Sequence, residues 1–189
     1  MSGRRRESFA ERRERRTEID DPAVVLEAAA RFLEARARSI GEVRRRLSTA
    51  GYRAELIDGA ITRLTELGML DDETFARAWI ESRDRARPRG ERALSEELRV
   101  RGVDRSVIVA ALEERRTTAS DAGEDAVPSA DEAAAERLLA RHARALERVA
   151  DPRAQRQRAY ALLARNGFDP SVCGSISARF AAGDVTDGD

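Results

Sequence analysis

A chain of 189 residues that is 41% apolar but only 4% aromatic can fill modest helical cores, not one large one. Its 35 basic and 35 acidic residues cancel, yet the 37% charged fraction stands above the roughly 25% of ordinary globular domains, so the zero total hides a pattern. One cysteine excludes an intramolecular disulfide framework, and no apolar run reaches the 18 or more residues of a membrane span. Arg4 to Arg16 is charged throughout, with no apolar run behind it, which does not fit a signal peptide. A soluble protein of the reducing cytoplasm is expected. Every basic residue apart from His142 is arginine. A genome rich in G and C would produce this, and so would selection for a forked, planar cation at anionic partners.

Residues 1–20 carry seven arginines and five acids with little apolar content beyond Phe9 and Ile19, which predicts a disordered or transiently helical arm. Asp21-Pro22 then starts a helix over about 22–36, with Val25, Leu26, Ala29, Phe32 and Leu33 at helical spacing. Ser39 and Glu42 form a capping box for a second helix that ends at Gly51. Leu56, Ile57, Ala60, Ile61, Leu64 and Leu67 mark a third, closing a first repeat over 21–70. The second repeat, 71–116, opens on the acidic run Asp71-Asp72-Glu73, which suits a helix N-terminus. Phe75, Ala76, Trp79 and Ile80 follow, Pro88 opens the next helix, and Asp104 caps the last. Residues 117–130 read as an acidic flexible linker. The third repeat, 131–182, has helix starts near Asp131, at Asp151-Pro152 and at Asp169-Pro170, and 183–189 is an acidic tail. No stretch alternates as a strand would, so the fold class is all-α.

The strongest pattern is internal repetition. Leu47…Gly51-Tyr52, Leu98…Gly102-Val103 and Leu163…Gly167-Phe168 write the same helix end three times. Aligning Gly51, Gly102 and Gly167 also aligns Leu56 with Val107 and Val172, Ile57 with Ile108 and Cys173, and Ala60 with Ala111 and Ile176. Three tandem three-helix repeats in an elongated, curved array are expected, an architecture suited to long partners.

Catalytic chemistry has little to build on. One histidine, His142, and one cysteine, Cys173, supply neither a tetrahedral metal site nor a nucleophile with its base. His142 reads as a surface residue and Cys173 as core packing. Adjacent Asp71 and Asp72 suit capping better than a paired carboxylate site, and no phosphate-binding P-loop occurs. No metal, cofactor or catalytic residue is expected. Phe75 and Trp79 share a helical face, which favours a core role over base stacking. Two arginine clusters point to binding. Arg83, Arg85, Arg87, Arg89 and Arg92 bracket Pro88, and Arg137 to Arg165 holds eight arginines against two acids. Such runs are either a solvated face or a groove for a phosphate backbone or an acidic protein surface. Sequence-specific reading is not expected, because the helices after the glycines offer Glu55, Asp58, Glu66, Glu113 and Glu114 where base-reading side chains would stand.

The run Gly68-Met69-Leu70-Asp71-Asp72-Glu73-Thr74-Phe75-Ala76-Arg77-Ala78-Trp79-Ile80-Glu81-Ser82-Arg83 resembles the central signature of the RecX family, regulators of the RecA recombinase. The likeness continues through Arg87-Pro88-Arg89-Gly90 to Arg101-Gly102-Val103, and Leu162 to Phe168 is similar to the third-repeat motif. The Arg-rich arm, the acidic linker and Cys173 depart from the family pattern. The resemblance implies a non-enzymatic modulator, in DNA repair, recombination and the SOS response, that binds the RecA and single-stranded DNA filament. It would lower strand exchange, ATP turnover and repressor co-cleavage. On that analogy Arg77, Arg83, Arg85, Arg87, Arg89, Arg92, Arg153, Arg156, Arg158 and Arg165 are the contact candidates. Asp71, Asp72, Phe75, Trp79 and the three glycines form a structural signature. A monomer without membrane contact is expected. The alternative is a stand-alone, sequence-nonspecific nucleic-acid binder.

Overall fold

The computed structural model describes residues 8–120 and 128–183. Among the described residues there are ten helices and no strand: α1 (Phe9–Thr17), α2 (Pro22–Glu34), α3 (Ile40–Ala50), α4 (Ala54–Glu66), α5 (Asp72–Ala86), α6 (Glu91–Arg101), α7 (Arg105–Ser120), α8 (Ala130–Glu147), α9 (Pro152–Arg165) and α10 (Pro170–Ala182). The all-α reading holds, and α2–α4, α5–α7 and α8–α10 are the three-helix triplets. The chain divides into two compact units, Met1–Phe75 with Arg101–Val103, and Ala76–Val100 with Asp104–Asp189. The cut falls inside α5, not at a repeat boundary.

Helix starts follow the local chemistry. The side chains of Asp21, Asp151 and Asp169 each accept backbone N–H groups of the first turn ahead of a proline at the first helical position, where the missing N–H costs nothing. Ser39 and Glu42 form the expected reciprocal box at α3. The two signature aspartates do different work. Asp71 accepts the Glu73 and Thr74 N–H groups at the start of α5, while Asp72 accepts the Ile40 N–H at 2.8 Å and so ties the start of α5 to that of α3.

Burial repeats with the sequence. Ile57, Ile108 and Cys173 are all buried, as are Ala60, Ala111 and Ile176, while Leu56, Val107 and Val172 are all half-buried. In the first unit Val25, Ala29, Val43, Leu47, Ile57, Leu64 and Leu70 form the core. In the second, one cluster gathers Leu138, Leu139, Leu163, Phe168, Cys173 and Ile176 from α8–α10.

Three expectations change. Residues 9–17 form a defined helix, α1, within the arm read as disordered or transiently helical. Ser8 accepts the Glu11 N–H and Glu11 the Ser8 N–H, a capping box that supplies the helix start the apolar pattern could not reveal. The linker is shorter than 117–130, because α7 runs to Ser120 and a Ser129–Glu132 capping box starts α8 at Ala130; 121–127 lie outside the described residues, as do 1–7 and 184–189 of the predicted arm and tail. Finally, α6 begins at Glu91, not at Pro88, because the Gly90 N–H donates to the Asn166 carbonyl at 3.1 Å.

That last bond belongs to a repeated joint. Gly51, Gly102 and Gly167 all have positive φ, which lets each helix end turn sharply. In the first unit Gly41 lies against Gly102: a Cβ on Gly41 would stand 2.7 Å from the Arg101 carbonyl oxygen, and the Ser39 hydroxyl donates to that same oxygen at 2.6 Å. In the second unit Gly90 lies against Gly167, where a Cβ would stand 2.3 Å from the Gly167 oxygen. Each time, the carbonyl just before the corner glycine, left open at a helix end, receives a donor from the start of the preceding repeat's second helix. Gly59, in α4, meets nothing within 4 Å. Urea unfolding should therefore show Gly59→Ala raising stability by about 0.5–1 kcal/mol. Gly90→Ala, whose added carbon meets backbone, should lower it by roughly 1–3 kcal/mol.

Candidate functional site

The arginines around Pro88 largely serve the second unit itself. Arg83 donates to Glu97 at 2.7 Å and lies 4.2 Å from the Trp79 ring centroid, while the Trp79 indole N–H also donates to Glu97 at 2.9 Å. Trp79 is thus half-buried by a cation and a carboxylate, and Phe75 is buried as a core residue should be. Arg89 donates to the Asn166 side-chain oxygen at 2.6 Å, and Arg92 to the Ala164 carbonyl at 3.2 Å. Arg141 of α8 donates to the carbonyls of Arg85 and Ala86, capping the C-terminal end of α5. Arg77 is exposed and 3.7 Å from Glu114.

Other candidates point outward. Arg85 and Arg87 are exposed, and so are Arg153, Arg156, Arg158 and Arg165 on α9. Arg158, Arg165 and the exposed His142 line a groove of about 320 Å³ between α8 and α9, whose apolar side is Leu146 and Leu162. The structure therefore does not bring the ten candidate arginines into one cluster. Asp84, Glu91, Glu97, Asp131 and Asn166 hold part of the basic surface in place from within.

The centre of that internal network is Arg115, which sequence reasoning missed. Its side chain is only 6% exposed, and it donates to both Asp84 oxygens at 2.9 Å, to Asp131 at 2.6 Å and to the Ala130 carbonyl at 3.3 Å. Burial alone would lower its pKa, but Asp84 and Asp131 more than offset this and hold it above the usual arginine value. One guanidinium thus joins α5, α7 and the start of α8, while Asp131 also accepts the Glu91 N–H at the start of α6. A signal was available: Arg115 follows Ile108, Ala111 and Leu112 at the spacing of the buried face of α7. Neighbouring Arg116 faces outward to Glu91 and Glu113.

Cys173 is buried, its thiol donating weakly to the Phe168 carbonyl at 3.6 Å, and burial pushes its pKa up, away from the reactive thiolate. Among the described residues no group of three His, Cys, Asp or Glu side chains could hold a metal ion, and no helix is long and apolar enough to cross a membrane.

Repeated three-helix units, part of whose charged side chains brace one another, define an all-helical repeat protein. Family profiles described as RecX, first three-helix domain, and RecX, second three-helix domain, match residues 26–64 and 71–112. The chain is 35% identical over 153 residues to Regulatory protein RecX of Mycobacterium ulcerans, covering 80% of this chain and 82% of that one. It is 36% identical over 148 residues to the protein of that name from Mycolicibacterium vanbaalenii, covering 75% and 74%. Its fold matches the crystal structure of RecX from Lactobacillus salivarius with a TM-score of 0.71 at 17% identity, covering 86% of this chain and 98% of that one. A second crystal structure, of regulatory protein RecX, matches at 0.65 and 19%, covering 82% and 70%. The chain belongs to the RecX family of regulatory proteins.

Two outcomes follow from the ion pairs. Arg115→Ala leaves Asp84 and Asp131 partly buried without their cation and should cost about 3–5 kcal/mol in urea unfolding, with Arg115→Lys recovering only part. Glu42 is half-buried; burial would raise its pKa, but Arg36, the Ser39 N–H and Arg101 outweigh burial and hold it below the usual carboxylate value. Its contribution is complete above the ordinary Glu value of about 4.3 and is lost as pH falls through the lowered folded value. Stability measured by denaturant from pH 6 to pH 3 should fall less steeply in Glu42→Gln than in the parent.

Proposed function

We propose that this chain regulates a RecA recombinase by binding the filament that RecA forms on single-stranded DNA, lowering its ATP turnover, strand exchange and co-protease activity. The observation that carries this reading is membership of the RecX family over four-fifths of the chain. The repeats 21–70, 71–116 and 131–182 are the proposed binding modules, acting as a single chain without cofactor or catalytic residue. Exposed arginines suit a partner that carries phosphates and carboxylates together.

The surfaces divide the contact candidates. Arg85, Arg87, Arg153, Arg156, Arg158 and Arg165, which are exposed, are the proposed contacts with protein or DNA. Arg83, Arg89 and Arg92, which hold Glu97, Asn166 and Ala164, act by shaping the surface. Arg77 stands beside Glu114 at the edge of the same unit. The test is DNA-dependent ATP hydrolysis by RecA with the chain added below stoichiometry. Turnover should fall, and reversing Arg156 and Arg158 to Glu should weaken inhibition at least tenfold, about 1.4 kcal/mol of binding, with helix content unchanged by circular dichroism. Unchanged turnover at molar excess of the parent chain would overturn the reading.

A further inference from the structure

Helix α1 occupies a position that the repeats explain. The corner glycine of the second triplet is covered by Gly41 and that of the third by Gly90 and Ala93, both from the preceding repeat. In the first triplet the corner glycine is covered by α1. A Cβ on Gly51 would stand 2.6 Å from the Arg13 carbonyl oxygen and 2.7 Å from the Arg13 Cγ. The carbonyl just before the glycine is again the acceptor: Arg16 donates to the Ala50 oxygen at 3.5 Å, with its guanidinium 5.5 Å from the centroid of the Tyr52 ring. A short charged helix thus takes, at this corner, the place that residues of a neighbouring repeat take at the other two.

This docking has a second result. Between α1, α2 and α3 it encloses a pocket of about 430 Å³ lined by Arg12 and Arg16 from α1, Arg31 from α2 and Arg46 from α3, with Tyr52 and Thr49 alongside and Ala28, Leu47 and Ala50 as apolar walls. Among the described residues that line it there is no carboxylate. Arg31 also pairs with Glu27 at 2.5 Å, an exposed contact one turn away that is easily exchanged. Arg46 lies 5.7 Å from the centroid of the Phe32 ring. Four forked cations from three helices around a small, partly apolar space match one phosphate with its attached sugar or base better than an extended run of carboxylates.

We propose that this pocket binds a phosphodiester of single-stranded nucleic acid and that α1, by docking on the Gly51 corner, completes it. Bound phosphate draws the α1 arginines toward those of α2 and α3, so occupancy and docking are mutually reinforcing. The proposal rests on the filament reading only for the source of its ligand, and it is testable without a recombinase.

The experiment uses the full chain with a fluorescein-labelled oligothymidylate of about 20 nucleotides, followed by anisotropy, together with amide hydrogen exchange of residues 9–17. The oligonucleotide should slow exchange in α1. Arg31→Glu with Arg46→Glu, which leaves the α1 contacts to Gly51 and Ala50 in place, should weaken binding at least tenfold, reduce the salt slope by roughly two and abolish the added protection. Should that variant fail to fold, Arg31→Gln with Arg46→Gln must show the same loss of protection. Unaltered affinity and protection in the variants would overturn the proposal. So would a polyglutamate peptide of equal charge that binds the parent as tightly as the oligonucleotide and slows α1 exchange equally. Inhibition of RecA ATP turnover, measured separately, tells failure of this site from failure of the filament reading.

Discussion

The constraint on which the fold depends is the open carbonyl at the end of each triplet's second helix. A helix that turns sharply at glycine leaves that oxygen without an intrahelical partner, and a buried acceptor without a donor costs on the order of 1–3 kcal/mol. This chain meets the requirement in the same way at each corner. The Ser39 hydroxyl reaches the Arg101 oxygen, the Gly90 N–H the Asn166 oxygen, and the Arg16 guanidinium the Ala50 oxygen. At the first two corners the backbones also lie so close that a Cβ would collide on either side, at Gly41 and Gly102 and at Gly90 and Gly167. The repeated glycines are therefore joint surfaces as well as turns.

Around these joints the charges divide into internal and external sets. Arg115 is the internal extreme: removing a guanidinium from water is unfavourable, and it is tolerated here because two carboxylates and a carbonyl meet its donors. Arg83 and Arg89 share Glu97 between them, a milder version of the same arrangement. This ion-pair work inside the second unit turns Asp84, Glu97 and Asp131 toward arginines, while Arg153, Arg156 and Arg158 of α9 remain exposed.

Much of the fold was legible because helical periodicity, aspartate–proline starts and the aligned glycines report local physics. Leu47, Leu98 and Leu163 are buried in all three copies, and the Ser39–Glu42 box forms where its spacing places it. The site was less legible. Runs such as Arg83 to Arg92 look alike whether they face a partner or their own chain, because what separates the two cases is a distant residue: Asn166 for Arg89, Ala164 for Arg92 and Asp131 for Arg115. Sequence distance hides such pairs. The helix at 9–17 was legible only as a transient possibility for a different reason: its fixed points are a capping box and a contact with Gly51, neither of which an apolar stripe would show.

The proposal that this chain acts on a nucleoprotein filament rests on membership of the RecX family, with the exposed arginines of α9 as candidate contacts. An electron cryomicroscopy reconstruction of the chain bound to RecA on single-stranded DNA tests it most directly. Density for the three-helix repeats lying along the filament, with α9 arginines directed at DNA phosphates or at acidic side chains of RecA, is the expected result. Bare filaments at saturating concentrations of the chain would contradict it.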